Sequence, residues 1–306
     1  MSISPLPLLH ALVLAGGDGT RLQDLTRRIM GSPIPKQYCR IDGEHSLLES
    51  TLDRVAPLAP PERTMAIVNR DHLPIAASQL SRLPAENVLV QPSNRDTGPG
   101  ILLSLLELEK RDPEAWVCLF PSDHYIADGA AFRSAVLRAV DTVAAHPDRL
   151  VLVGIVPEHA DTGMGYIEPA APLATAVDRL ALGVRSFIEK PSLLVARKLV
   201  GRGSLWNSFV LVFRVARALE LLERERPLDV ARMRAALGEP SGLESAYKTL
   251  EPWNFSSDFL ALVAPELAVV RAEETGWCDW GTPEAIERTF LAEGRTPSWL
   301  AQTAAC

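Results

Sequence analysis

The sequence predicts a three-layer α/β chain built around a mainly parallel central sheet. Apolar, β-rich runs alternate with segments of helical period along most of the 306 residues. Those runs are apolar on both faces, as strands covered by helices on either side must be. Chemically distinctive residues recur just past the ends of the runs, where open α/β sheets bind their ligands.

The expected strands are Leu9–Leu14, Thr64–Asn69, Asn87–Gln91, Trp116–Phe120, Leu150–Pro157, Val184–Glu189, Phe209–Phe213 and Leu267–Arg271. Helical period marks Ser46–Leu58, Leu73–Leu83, Gly98–Arg111, Ala130–Ala145, Leu193–Gly201, Val215–Glu225 and Pro283–Leu291. Pro169–Thr175 and Gly238–Gly242 read as loops. With no long linker and no solenoid repeat, one domain over residues 1–293 is expected, followed by a short tail, 294–306.

Composition narrows the functional class. At 47% hydrophobic and 23% charged residues, the chain can build a large core. A net charge of −7 argues against a nucleic-acid surface, while leaving room for small anions held by local cations or a metal ion. Four scattered cysteines, Cys39, Cys118, Cys278 and Cys306, form no CxxC pair and read as reduced thiols of a cytoplasmic protein. The opening MSISPLPLLHALVLAGG lacks a cationic start and reads as an arm plus first strand, not a secretory leader. No apolar run reaches the roughly 18 residues a membrane span needs, so no membrane partner is expected.

Three stretches carry chemistry. In LVLAGGDGTRL, Leu12–Leu22, glycines follow a strand directly. Backbone amides of such a turn can cradle phosphate oxygens, and Arg21 can neutralise them with a forked contact. Neither a GxGxxG fingerprint nor a Walker A sequence is present. In FPSDH, Phe120–His124, Asp123 follows a strand and is placed to hold Mg²⁺. His124 reads as a supporting or loop residue. In GWCDWGT, Gly276–Thr282, Asp279 lies between two tryptophans and would supply the second carboxylate. Taken alone, each has a plainer alternative: Asp123 as a turn or helix cap, and Asp279 as the cap of the helix that starts near Pro283 at a Trp-rich core edge. Lys36 and Lys190, each next to a proline at an element boundary, add two cations. Glu189 beside Lys190 can accept from sugar hydroxyls.

Together these motifs resemble the sugar-1-phosphate nucleotidyltransferases, most closely the mannose-1-phosphate guanylyltransferase branch. The resemblance rests on LAGGDGTRL, PKQ at 35–37, PSDH at 121–124, GYIE at 165–168, IEKP at 188–191, WNS at 206–208 and WCDWGT at 277–282, in the family's order. QPSNRDTGP at 91–99 is similar to the family's EPxxRNTAP segment near the base. The resemblance implies a Rossmann-like three-layer nucleotidyltransferase fold with a mixed, mostly parallel central sheet. It also implies Mg²⁺-dependent transfer of a nucleotidyl group from an NTP, first GTP, to a sugar 1-phosphate, first mannose 1-phosphate, with release of pyrophosphate.

Carried over by position, Leu14, Ala15, Gly16, Gly17, Gly19, Thr20, Gln91, Arg95, Thr97 and Ser122 would bind the nucleotide. Arg21 and Lys36 would hold phosphates, and Asp123 and Asp279 the metal. Gly165, Glu189 and Asn207 would hold the sugar, and Lys190 its phosphate. A homodimer and small-molecule substrates are the implied partners, and no second catalytic domain is expected. Three departures stand out: a longer link between Arg21 and Lys36, Asp96 and Gly98 where the pattern has asparagine and alanine, and Phe209 in place of a glycine. The alternatives are a regulatory homologue that binds nucleotide sugar without turnover, and a nucleotidyltransferase acting on a non-sugar acceptor.

Overall fold

The computed structural model describes residues 8–173, 181–239, 241–297 and 299–300. The N-terminal arm, the end of the Pro169–Thr175 loop, most of the tail and Cys306 lie outside the described residues.

Nine strands form a single sheet among these residues: β1 Leu9–Leu14, β2 Thr64–Asn69, β3 Val88–Gln91, β4 Trp116–Pro121, β5 Leu150–Ile155, β6 Gly165–Pro172, β7 Ala181–Glu189, β8 Leu205–Arg214 and β9 Leu267–Ala272. Their order is β3-β2-β1-β4-β8-β5-β9-β7-β6, with β6 also pairing β8. The block β3-β2-β1-β4 is parallel throughout, and β5 is parallel to β9. Only β7 and β8 run against the rest. The sheet is therefore mixed, with a purely parallel half and a half interleaved with reversed strands.

The helices are α1 Gln23–Met30, α2 Leu47–Val55, α3 Leu73–Gln79, α4 Thr97–Arg111, α5 Gly129–Ala145, α6 Leu193–Gly201, α7 Val215–Glu225, α8 Pro227–Ala236, α9 Gly242–Thr249 and α10 Pro283–Ala292. Alternation along each strand sends side chains to opposite faces. Leu119, Leu152, Leu211 and Val269 pack with Ile101 and Leu105 of α4 and Leu219 and Leu222 of α7. Their neighbours Cys118, Val151, Val212 and Val270 pack with Phe132, Val136 and Val140 of α5. These are the two outer layers of a three-layer fold. Near the other edge, Val13, Ala66 and Val68 pack with Leu48 and Leu52 of α2.

Element bounds follow the hydrophobic pattern closely, and the differences have physical causes. Part of strand β6 reads as a loop in the sequence because Pro169 and Pro172 interrupt it. The ladder is irregular at both, and β6 ends the sheet order, where a missing amide donor is tolerated. The longer link after Arg21 contains helix α1, which buries only Leu25 and Thr26 and stops at Gly31, φ +77°. Helices α8 and α9 are not among the expected elements; both are short and their apolar stripes are narrow. Cys39, Cys118 and Cys278 are free thiols, and burial pushes the first two up to about 12.

Candidate active site

Parallel strands β1, β2, β3 and β4 end on the same side of the sheet, and their last residues build the first half of the site. The glycine turn follows β1 and is held from below. Gln37 donates to the carbonyls of Ala15 and Gly17 at 3.0 and 2.7 Å, and Tyr38 donates to Ala15 at 2.7 Å. Asn69, at the end of β2, donates to the Gly16 carbonyl at 2.6 Å. With the carbonyls fixed inward, the amides of Gly16, Gly17, Asp18 and Gly19 find no acceptor among the described residues. Gly19 has φ +59°, and a Cβ there would meet the Lys36 nitrogen at 2.8 Å. A Cβ on Gly17 would meet no protein atom within 4 Å. The absence of a side chain at Gly17 keeps space for something that is not protein.

A cavity of about 550 Å³ opens over this turn, lined by Leu14, Gly16, Gly17, Gly19, Thr20, Gln91 and Thr97 together with Asp18, Asn94 and Asp96. A second cavity, about 280 Å³, adjoins it and shares Leu14, Gly17 and Thr97. Arg21, Ser122, Asp123, Gly165, Glu189, Lys190, Asn207 and Asp279 all line the second. Residues far apart in sequence thus meet in one continuous cleft.

Asp123 and Asp279 meet because their loops are clipped together. Tyr125 and Cys278 exchange backbone hydrogen bonds at 2.9 and 3.0 Å, and Tyr125 stacks on Trp280 with ring centres 4.5 Å apart. Trp280 is fully buried at φ +45°, a strained conformation for a bulky residue. A Cβ on Gly281 would collide with the Asp279 carboxylate, so a larger residue there would displace that side chain. Thr282, not Asp279, caps α10, its hydroxyl accepting from Ala285 at 3.2 Å. Lys36 lies beneath both aspartates: its Nζ is 3.2 Å from the Asp123 carboxylate and donates to the backbone carbonyl of Asp279 at 2.5 Å. Burial would push the Asp123 carboxyl up, but the Lys36 and His124 charges and the Lys36 hydrogen bond outweigh it and hold it below the usual range. Burial in turn lowers His124, and Trp277 Nε1 donates to its Nδ1 at 3.2 Å, leaving Nε2 toward Asp123 at 3.6 Å.

The two aspartates suit Mg²⁺, which takes one or two carboxylates and completes its shell with water and phosphate oxygens. No group of three or more His, Cys, Asp or Glu with metal-holding geometry exists among the described residues. That donor set fits a hard cation shared with a substrate rather than a closed protein cage.

The far wall comes from the mixed half of the sheet. Gly165 of β6 pairs with Glu189 of β7, and a Cβ at 165 would strike the Glu189 carboxylate at 2.5 Å. Burial raises the Glu189 carboxyl, partly opposed by Lys190, whose Nζ is 3.5 Å away. Asn207 Oδ1 accepts from the Phe209 amide at 2.9 Å, which fixes the side chain and leaves its amide nitrogen without a partner among the described residues. Lys190, φ +45°, and Phe209, φ +57°, both hold left-handed backbone. Phe209 thus keeps the conformation a glycine adopts freely, and its ring packs 6.1 Å from Phe255. Of the six non-glycine residues with positive φ among the described residues, Asp96, Lys190 and Phe209 line the cleft and Trp280 adjoins it. Such clustering is the usual mark of a functional site.

Three expected contacts are placed otherwise. Lys36, expected on the phosphates, lies outside the lining of both cavities because its Nζ is directed to Asp123 and to the carbonyls of Asp279 and Trp280. Arg95 lies outside the cavity lining because its Nε donates to the Tyr247 carbonyl at 2.9 Å, so it braces the wall. Ala15 is buried with its backbone fully bonded. Arg21 is exposed and makes no ion pair among the described residues. Sequence reasoning missed Asp18, Asn94 and the Pro252–Ser256 segment. Trp253 of that segment fills the space a Cβ on Gly98 would take, and Asn254 donates to Asp96 at 3.0 Å. No local pattern announces that segment, because it reaches the site only through the fold.

The family model described as Nucleotidyl transferase matches residues 10–294. The chain is 33% identical over 287 residues to a protein named mannose-1-phosphate guanylyltransferase from Escherichia coli K12, covering 90% of this chain and 58% of that protein. It is 34% identical over 281 residues to xanthan biosynthesis protein XanB from Xanthomonas campestris pv. campestris, covering 89% and 57%. The chain therefore spans somewhat over half the length of these relatives. A solved structure described as mannose-1-phosphate geranyltransferase from Thermus thermophilus superposes with a TM-score of 0.81 at 32% identity, covering 92% of this chain and 79% of that one. With the matched model, the relatives and the folded cleft in agreement, the chain belongs to the nucleotidyl transferase family.

Proposed function

We propose that this chain transfers a nucleotidyl group from an NTP, GTP first, to a sugar 1-phosphate, mannose 1-phosphate first, in a Mg²⁺-dependent reaction that releases pyrophosphate. The observation that supports this most is the meeting of Gly17, Arg21, Asp123, Lys190 and Asp279 in one cleft. The names of the relatives favour mannose 1-phosphate and guanosine chemistry.

Both substrates are already ionised, so the chain needs no general base. The free amides of Gly16–Gly19 hold the triphosphate in the larger cavity, and Arg21, on the lining of the smaller one, meets its phosphates from the adjoining side. Lys190 holds the sugar phosphate in the smaller one, while Glu189 and the Asn207 amide orient the sugar hydroxyls. Gly17 and Thr97 form the shared wall, so the phosphate oxygen and the α-phosphorus face each other across it. Aligning two mutually repelling anions in this way can lower a barrier by ~7–11 kcal/mol. Asp123 and Asp279 would hold Mg²⁺, which when bound neutralises charge on the phosphates. Lys36 keeps both aspartates in place from below.

The test is pyrophosphate release over a panel of NTPs and sugar 1-phosphates, with Asp123→Ala and Asp279→Ala as controls. Turnover with one pair, lowered about 10²–10³-fold or more in both variants, is the expected result. Folded wild-type protein silent across the panel with Mg²⁺ present overturns the proposal. Near wild-type turnover in either variant would reduce that aspartate to a structural residue.

A further inference from the structure

The glycine turn contains an anion where it is expected to hold anions. Asp18 sits between Gly17 and Gly19, its carboxylate half-exposed in the larger cavity. A carboxylate among phosphate-binding amides repels a triphosphate unless it faces another part of the nucleotide. Among the described residues no lysine or arginine pairs with it. Its partners are Asn94, donating to Oδ2 at 2.7 Å, Asn69, donating to Oδ1 at 3.3 Å, and His72 Nε2 at 3.4 Å.

These partners fix its direction. Tyr247 donates to Gln91 Oε1 at 3.2 Å, and Gln91 Nε2 donates to Asn69 Oδ1. Asn69 must therefore present its amide nitrogen to Gly16 and Asp18. The Asp18 oxygens are bound only from the protein side and keep acceptor capacity toward the cavity. Asn94 belongs to the segment after β3, so Asp18 bridges from the phosphate turn to the wall that carries Gln91, Asn94 and Asp96. A nucleotide runs phosphate, ribose, base. The part lying between a phosphate turn and the far wall is the ribose, a neutral diol with two donors. Carboxylate acceptance of ribose hydroxyls is an established solution in other nucleotide folds.

We infer that Asp18 reads the ribose of the bound NTP, its carboxylate accepting from the 2′- and 3′-hydroxyls, and so selects ribonucleotides over deoxyribonucleotides. The inference rests on the nucleotidyl-transfer reading of the same cleft. It makes Asp18 a determinant of sugar-ring specificity in the donor.

The experiment compares kcat/KM for GTP and 2′-deoxy-GTP in the wild-type chain and in Asp18→Ala, with calorimetric Kd values for the same pair in Mg²⁺. Wild type is expected to prefer GTP by about tenfold or more, the scale of a charge-assisted hydrogen bond. Asp18→Ala is expected to bring that ratio close to one, mainly by losing affinity for GTP. Because the ratio is taken within each protein, a general loosening of the turn moves both nucleotides and leaves it unchanged. A wild-type ratio near one, or an equal loss for both nucleotides in the variant, overturns the assignment to the ribose. If no NTP turns over, the reaction proposal falls. The calorimetric ratio still decides Asp18, and absence of GTP binding would overturn it too.

Discussion

Two lysines, one in each half of the cleft, are built in opposite ways. Lys36 is buried beneath the parallel half, donating to the carbonyls of Asp279 and Trp280 and paired with Asp123. Lys190 stands at the end of a strand in the mixed half, its side chain 58% exposed and its backbone left-handed, with Glu189 alone as ionic partner among the described residues. The first is held by the protein before any ligand arrives. The second is held loosely enough to turn toward one. A rigid, internally bonded wall faces an adaptable one, and the rigid side is the one proposed to hold the nucleotide.

Replacing each lysine tests that contrast. Lys36→Met should remove activity and also lower stability by ~2 kcal/mol, since two buried carbonyls and a carboxylate lose their donor. Thermal melting alongside turnover measures both. A variant that melts like wild type would mean that Lys36 is not part of the frame. Lys190→Ala, by contrast, should leave the melting temperature nearly unchanged, because exposed ion pairs contribute only ~0–1 kcal/mol. It should raise the KM for sugar phosphate by roughly tenfold or more and spare the KM for NTP. Equal effects on both substrates would erase the division between the two walls.

The smallest expected effect sharpens the contrast through pH. In the rigid half the Asp123 carboxyl is held low, whereas in the adaptable half burial raises Glu189 from its ordinary 4.5. A raised carboxyl binds its proton more tightly in the folded state. Its contribution therefore favours folding at low pH and is lost as pH rises through the raised value. Glu189→Gln should accordingly raise the melting temperature slightly at pH 7, with the gain shrinking as pH falls toward 4.5. The groups facing Glu189 are Lys190 and, at longer range, Asp96. A gain of constant size across that window would assign it to packing, not to charge.

Much of this is legible in the sequence, for reasons that particular residues make plain. Strands β1, interrupted only by His10, and β2, apolar from Met65 to Val68, have coinciding expected and observed bounds. Asp123 and Asp279 stand directly after a strand and inside a tryptophan pair, so their convergence can be anticipated. What stays hidden is long-range. Nothing local to Asp18 places Asn94 beside it, and nothing in QPSNRDTGP turns Arg95 away toward Tyr247. Strand β6 is obscured because proline speaks against strand everywhere except at an irregular edge. The Pro252–Ser256 segment has polar and aromatic residues in no regular period, and only the folded chain brings it against α4.

The contact between Gly98 and Trp253 bears on how such a chain can change over generations. Where the resembled pattern has alanine at this position, this chain has glycine, and the tryptophan ring occupies the vacated space. Neither residue can be exchanged alone without a clash or a void. Enlarging position 98 therefore requires position 253 to shrink or its ring to move. Sterics thus tie together two sites that are distant along the chain.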